Sequence, residues 1–117
     1  KDMYISGGEN VYPTEVENAL AKHPSVLRSA VIGVADPKWG EVGRAYVVLK
    51  GATQLTADAL NAHLAGLLAD FKLPRSYAFV KDLPQTASGK VKKQDLRALA
   101  AGVQPDNQGT PMGSAKS

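Results

Sequence analysis

The chain of 117 residues contains no cysteine, few aromatic residues and no long apolar run. Without cysteine, neither a disulfide framework nor a thiolate metal site is possible, and we expect a cytoplasmic location. No apolar run approaches the roughly 20 residues that a membrane-spanning helix needs, and no secretory leader is evident. The sequence therefore predicts no transmembrane segment.

Charge of one sign is also scarce, because the formal net charge is only +3. An excess this small does not indicate nucleic-acid binding by itself. The distribution is more informative, since residues 81–97 contain five cations against Asp82 and Asp95. These cations are Lys81, Lys90, Lys92, Lys93 and Arg97. This local excess suits a small anionic ligand such as a nucleotide.

The alternation of helical and strand periodicity predicts an α+β domain. Helices are expected after Pro13, after a Thr56 cap and around Leu96. Valine-rich segments 26–34 and 44–49 predict strands, as do residues 77–80. We predict a small mixed sheet with a short N-terminal strand pair, covered by about three helices. One apolar stripe is expected along the second helix: Leu60, Leu64, Leu67, Leu68 and Phe71.

The end of the chain differs from the rest in composition. From Gly102 onward the residues are mainly Gln, Pro, Asn, Gly and Ser, with almost nothing to bury. We predict one domain over residues 1–101 and a disordered tail over residues 102–117.

Residues 84–90, Pro-Gln-Thr-Ala-Ser-Gly-Lys, place a lysine after small, flexible residues. Gly89 permits positive φ, while Thr86 and Ser88 leave room for a polyanion. Lys90 would then be a compact cation, suited to charge that develops in a transition state. From these residues alone, a solvated loop is the more common explanation of such a segment.

Three further segments accompany the lysine loop in order: residues 1–17, 35–41 and 71–74. With the loop, they resemble the small C-terminal domain of the acyl-adenylate-forming enzymes, the AMP-binding superfamily. The wording Ser-Gly-Gly-Glu-Asn-Val-Tyr-Pro at residues 6–13 is most similar to the fatty or aromatic acyl-CoA ligases. The resemblance implies a larger N-terminal adenylating domain, which is absent from this chain.

The resemblance also implies a two-step reaction. A small-molecule carboxylate and ATP, with Mg²⁺, give an acyl-adenylate and pyrophosphate; the thiol of coenzyme A then displaces AMP. Lys90 matches the family's catalytic lysine of the first step. Lys1 matches the hinge about which the domain rotates before the second step. No residue is matched to a metal, and the fragment alone is expected to bind no cofactor stably and to be inactive.

Six residues match positions near coenzyme A in the family: Gly7, Gly8, Glu9, Trp39, Phe71 and Lys72. Glycines would let the pantetheine arm pass close to the backbone, and a flat tryptophan ring would line its tunnel. Each position has a simpler interpretation from residue type alone. The glycines form an ordinary turn, Trp39 packs on its own domain, Glu9 is solvated and Phe71 belongs to the core. Lys72 and Arg75 either pair with phosphate or stay in water.

Two alternatives remain open. The domain could belong to an adenylation module that loads a carrier protein, or it could be a small basic interaction or nucleic-acid-binding module. Against the second, the aromatic residues Phe71, Tyr77 and Phe79 are few and are expected to be buried. The two histidines, His23 and His63, lack partners at metal-ligand spacing and are expected on the surface.

Overall fold

A computed structural model describes residues 2–102, which divide after Leu83 into two units, residues 2–83 and 84–102. Lys1 and residues 103–117 lie outside the described residues, and with them the predicted hinge and nearly all of the predicted tail. Within the described part, no helix is both long and apolar enough to cross a membrane.

The first unit contains five strands and two α-helices. In chain order the elements are β1 (Tyr4–Ser6), β2 (Glu9–Val11), α1 (Pro13–Ala21), β3 (Val26–Asp36), β4 (Gly40–Leu49), α2 (Ala57–Ala65), a short 3-10 helix (Asp70–Lys72) and β5 (Ser76–Phe79). The second unit contains a hairpin turn followed by α3 (Lys93–Ala100). The predicted helix starts and strands are confirmed to within a few residues.

The sheet has the order β2-β1-β4-β3, and all of these neighbours are antiparallel. β5 pairs with β4 in the parallel direction, so the sheet is mixed. The predicted α+β fold with a short N-terminal strand pair is therefore confirmed. β1 meets β4 at one register pair only, Ser6 opposite Gly40.

Tyr4 anchors β1 to the long β3–β4 hairpin. Gly33 and Gly43 are register partners, and the Tyr4 ring lies against both. A Cβ atom on Gly33 would come within 2.6 Å of Tyr4 Cβ, and one on Gly43 would overlap the Tyr4 hydroxyl. Tyr4 is only 4% exposed, and its hydroxyl has no hydrogen-bond partner within residues 2–102. Burial, followed by the nearby charge of Glu41, raises the pKa of Tyr4 to about 12.

The two helices of the first unit bury their apolar faces in one core. Val16 and Leu20 of α1 are fully buried there together with Leu60 and Leu64 of α2. Pro13 opens α1 at a first-turn position, where a missing N–H costs nothing. Thr56 caps α2 as predicted, since its Oγ1 accepts a hydrogen bond of 3.1 Å from Ala59 N.

The prediction that one apolar stripe runs along the second helix from Leu60 to Phe71 is wrong. α2 ends at Ala65 with Gly66 as its C-cap, so the stripe does not continue on one helix. Leu67 is 47% exposed, whereas Leu68 and Phe71 pack against the core from the segment after the helix. Phe79 was also misjudged, because it is 41% exposed at the end of β5.

His23 and His63 are half-buried rather than free on the surface. Their rings meet edge to face, with centroids 5.1 Å apart. His63 Nε2 hydrogen-bonds Ala19 O at 2.8 Å, and His23 Nδ1 accepts from Ser25 N at 3.0 Å. The pair joins the end of α1 to α2.

Candidate functional site

Lys90 closes a tight hairpin turn in the second unit. Thr86 N donates to Lys90 O at 2.8 Å, and Gly89 N donates to Thr86 O at 2.9 Å. Gly89 has a φ of +90°, as a three-residue hairpin loop with a glycine bulge requires. Thr86 Oγ1 accepts from Lys90 N at 3.2 Å and lies 3.1 Å from Ser88 Oγ. Thr86 and Gly89 therefore determine the backbone path before Lys90, while Ser88 supports it.

The Lys90 side chain is exposed. Among residues 2–102, no acidic group lies within ion-pair distance of its ammonium. A rigid turn thus presents an uncompensated cation at the end of a long flexible stem. Such a cation is suited to reach an anion outside its own turn.

Gly7 and Gly8 form the two-residue turn between β1 and β2. Their φ angles are +57° and +86°, so both adopt the left-handed region that favours glycine in such hairpins. Their surroundings differ. A Cβ on Gly7 would lie 2.7 Å from Trp39 Cε3, whereas one on Gly8 would meet nothing within 4 Å. Gly7 is needed for a close contact, and Gly8 only for backbone conformation.

Trp39 covers Gly7 and remains 38% exposed. The backbone joins the same two residues, because Gly7 N donates to Trp39 O at 2.9 Å. One part of the ring therefore packs on its own domain and another is left accessible. Packing of Trp39 on its own domain is therefore observed, while its place in the wall of a pantetheine tunnel stays a prediction.

Two acidic residues fix the backbone around Trp39. Asp36 Oδ2 accepts from Lys38 N at 3.0 Å and from Trp39 N at 2.8 Å. Glu41 Oε1 accepts from Ile5 N at 3.1 Å. Both side chains satisfy backbone donors near the Gly7–Trp39 contact.

Two cations lie over the Trp39 ring. Lys38 Nζ is 4.9 Å from the ring centroid, and Arg75 Cζ is 5.7 Å from it. Arg75 is placed by its own backbone, since Arg75 N donates to Gly43 O at 2.8 Å. Cation–π contacts at such exposed sites are worth about 0.5–1 kcal/mol each. Residue type alone did not predict that Arg75 lies beside Trp39, and the contact of Lys38 with the ring was not expected either.

Lys72 and Phe71 occupy the short 3-10 helix after α2. Lys72 Nζ forms an ion pair with Glu15 of α1, at 3.0 Å to Oε1 and 3.1 Å to Oε2. Its ammonium also lies 5.7 Å from the Phe71 ring centroid. The predicted phosphate contact of Lys72 would therefore have to compete with Glu15. Glu9 lies exposed on β2, opposite Ser6.

The match to known proteins covers most of the chain. The family model of the AMP-binding enzyme C-terminal domain matches residues 15–90. The 7a-methyl-1,5-dioxo-octahydro-1H-inden-4-yl propanoyl:CoA ligase of Rhodococcus jostii (strain RHA1) is 60% identical over 97 residues, covering 83% of this chain and 19% of the relative. A feruloyl-CoA synthase of Amycolatopsis sp is 53% identical over 97 residues, covering 83% of this chain and 20% of the relative.

Solved structures give the same match at the level of the fold. An acyl-CoA synthetase from Brucella canis superposes with a TM-score of 0.83 at 37% identity, covering 87% of this chain and 19% of that one. The chain thus spans about a fifth of the length of the relatives it matches. The chain belongs to the family of AMP-binding enzyme C-terminal domains.

Proposed function

We propose that this chain is the C-terminal domain of an ATP-dependent acyl-CoA ligase and serves both half-reactions of that enzyme. The observation that carries the proposal is its identity of 60% over 97 residues with a curated CoA ligase. Two structural features support it. Lys90, which has no acidic partner among residues 2–102, stands on a hydrogen-bonded turn, and Trp39 lies over a double-glycine turn with cations beside it.

In the first half-reaction, a carboxylate oxygen of the substrate attacks the α-phosphorus of ATP. The bond to pyrophosphate breaks, and an acyl-adenylate forms. Two anions must approach one another, and charge grows on the phosphoryl oxygens. The Lys90 ammonium would stabilise that charge from the turn that Thr86 and Gly89 hold.

In the second half-reaction, the sulfur of coenzyme A attacks the acyl carbon. A tetrahedral intermediate forms and collapses, breaking the acyl–oxygen bond and releasing AMP. Gly7, Gly8 and Trp39 would line the path of the thiol-bearing arm. A side chain on Gly7 would collide with Trp39, so the glycine lets the tryptophan ring pack directly on the backbone of the turn. Rotation of the domain between the half-reactions, with Lys1 as hinge, is part of the proposal.

Magnesium is the expected companion of ATP. Within residues 2–102, no group of three or more His, Cys, Asp or Glu side chains lies close enough to hold a metal ion. Residues 2–102 therefore contain no cluster that could hold the ion by itself.

The relatives are named for different acyl groups. The relatives named above include one named for a bicyclic propanoyl group and one for feruloyl. A medium or long fatty acid stays a prediction for this chain, alongside aromatic acids. Loading of a carrier protein is the competing outcome for the acceptor.

The test uses the full-length parent enzyme with a panel of carboxylic acids. Acyl-adenylate formation is followed by pyrophosphate release, first without any thiol. Coenzyme A and a phosphopantetheine-loaded carrier protein are then compared as acceptors. We expect acyl-CoA as the product. Transfer to the carrier protein alone would replace the ligase proposal with carrier loading, and absence of pyrophosphate release with every acid would refute both.

A further inference from the structure

Asp36 and Glu41 lie on either side of Trp39 in the sequence, and both carboxylates accept hydrogen bonds from backbone N–H groups. We propose that these two acids are positioning residues that hold Trp39 and Gly7 in contact, and that they thereby control thioester formation without touching a substrate. The link to thioester formation rests on the function proposed above. The link to Trp39 and Gly7 rests on geometry alone.

Asp36 holds the tryptophan side of the contact. It ends β3, and its Oδ2 binds the N–H groups two and three residues further along the chain, at Lys38 and Trp39. This arrangement lets an aspartate fix a turn that the backbone alone would leave in several conformations. Gly40, with a φ of +84°, then returns the chain into β4. The Trp39 carbonyl is thereby directed at Gly7 N.

Glu41 holds the glycine side. Two N–H groups of the β1 region donate to this part of the chain: Gly7 N to Trp39, just before β4, and Ile5 N to Glu41, near the start of β4. Gly7 N has the Trp39 carbonyl as its acceptor, but Ile5 N has the carboxylate of Glu41 instead of a backbone group. Because β1 and β4 share only one register pair, this side-chain bond supplies part of their connection.

Neither role needs a negative charge. An amide oxygen accepts a hydrogen bond in the same geometry, so Asp36→Asn and Glu41→Gln should retain the contact. Alanine cannot accept, so Asp36→Ala and Glu41→Ala should loosen it. An electrostatic role for either acid predicts instead that the amide variants fail together with the alanine variants.

The first experiment measures the contact itself. Trp39 is the only tryptophan of the 117-residue chain, so its fluorescence reports on this site directly. We expect Asp36→Ala to raise the acrylamide quenching constant by about twofold as the ring loosens, with Asp36→Asn close to wild type. Asp58→Ala, an exposed aspartate in the first turn of α2, is the matched control. Wild-type quenching in Asp36→Ala would overturn the inference.

The second experiment measures the consequence in the full-length parent. We expect Asp36→Ala to lower kcat/KM for coenzyme A by about tenfold, which corresponds to about 1.4 kcal/mol. Glu41→Ala, whose lost bond is solvent-exposed, should lower it by about threefold, and both amide variants should restore it. Acyl-adenylate formation should stay within about twofold of wild type in all four variants.

The outcomes separate the two claims. A wild-type parent that makes no acyl-CoA refutes the proposed function, while the fluorescence result still decides the positioning role. A working wild type with unaffected alanine variants, or with amide variants as impaired as alanine, refutes the inference. Circular dichroism checks that each variant is folded. Should Asp36→Ala not fold, Glu41→Ala and Asp36→Asn decide the question.

Discussion

The Lys90 turn and the Gly7–Trp39 contact both depend on glycines with positive φ, yet they are built in different ways. The hydrogen bonds of the Lys90 turn join residues within a short stretch of the same hairpin. The Gly7–Trp39 contact joins residues more than thirty positions apart, and the carboxylates of Asp36 and Glu41 bind backbone N–H groups beside it. The difference suits a cation that must reach outward and a wall that must stay in place.

Replacing Lys90 should give the largest effect. In the full-length parent, we expect Lys90→Ala to slow acyl-adenylate formation by about two to three powers of ten, because about 2.7–4 kcal/mol of electrostatic stabilisation is lost. Pyrophosphate release measures this step. Lys92→Ala, an exposed lysine two residues later, is the matched control and should stay near wild type. Equal losses in the two variants would mean that only general positive charge matters.

Adding a side chain at Gly7 or Gly8 should affect the Gly7–Trp39 contact. Gly7→Ala adds both backbone strain and an overlap with Trp39, so we expect a loss of about 2–4 kcal/mol in the free energy of unfolding. Gly8→Ala adds only strain, about 1 kcal/mol. Urea denaturation of the chain measures both. An equal loss of unfolding free energy in the two variants would show that Trp39 moves away from the added methyl group at no cost.

Removing the Tyr4 hydroxyl tests the packing of β1, the strand that leads into that turn, on Gly33 and Gly43. The group is buried without a partner in the described residues, so Tyr4→Phe should raise the free energy of unfolding at pH 7 by about 1 kcal/mol. The exposed Tyr12→Phe should change little. A clear loss of stability in Tyr4→Phe would show that the hydroxyl is bonded in solution.

The same variant predicts a difference at high pH. The folded pKa of Tyr4 is about 12 against 10.0 for an unperturbed tyrosine, so the folded state keeps its proton longer than the unfolded state. The free energy of unfolding is therefore unaffected by this group below pH 10 and falls as pH rises from 10 through about 12. The total fall is about 2–3 kcal/mol. Denaturation from pH 9 to 11.5 should fall less steeply for Tyr4→Phe than for wild type, whereas parallel curves would contradict the raised pKa.

The smallest expected effect concerns Lys72 and Glu15. Their ion pair is partly exposed, so Glu15→Gln should cost less than about 1 kcal/mol of stability. If Lys72 also contacts coenzyme A, freeing it from Glu15 should lower the KM for coenzyme A by about twofold, and Lys72→Met should raise it by about threefold. Steady-state kinetics of the parent measure both. An unchanged KM in both variants would limit Lys72 to a structural role.

Local patterns predicted the elements of this fold well. Valine-rich segments gave β3 and β4, while Pro13 and Thr56 marked the starts of α1 and α2. The end of α2 was missed because leucines continue at helical spacing beyond Gly66. After the helix, Leu68 reaches the core from a different backbone path and Leu67 is exposed, so periodicity alone cannot locate the end.

Contacts between distant residues were harder to predict. Nothing local indicates that Gly33 and Gly43 form a slot for Tyr4, because the slot depends on the register of β3 against β4. Likewise, Arg75 reaches Trp39 only because its backbone binds Gly43. Motif spacing indicated the glycine turn and the lysine turn, but not which side chains surround them.

The most direct test of the central claim is a crossed assay of Lys90→Ala and Gly7→Ala in the full-length parent. Acyl-adenylate formation from ATP is measured separately from thioester formation with supplied acyl-adenylate. We expect Lys90→Ala to impair only the first half-reaction and Gly7→Ala to impair only the second, by about tenfold or more. Impairment of both half-reactions to the same extent by both variants would contradict the division of labour between the two regions.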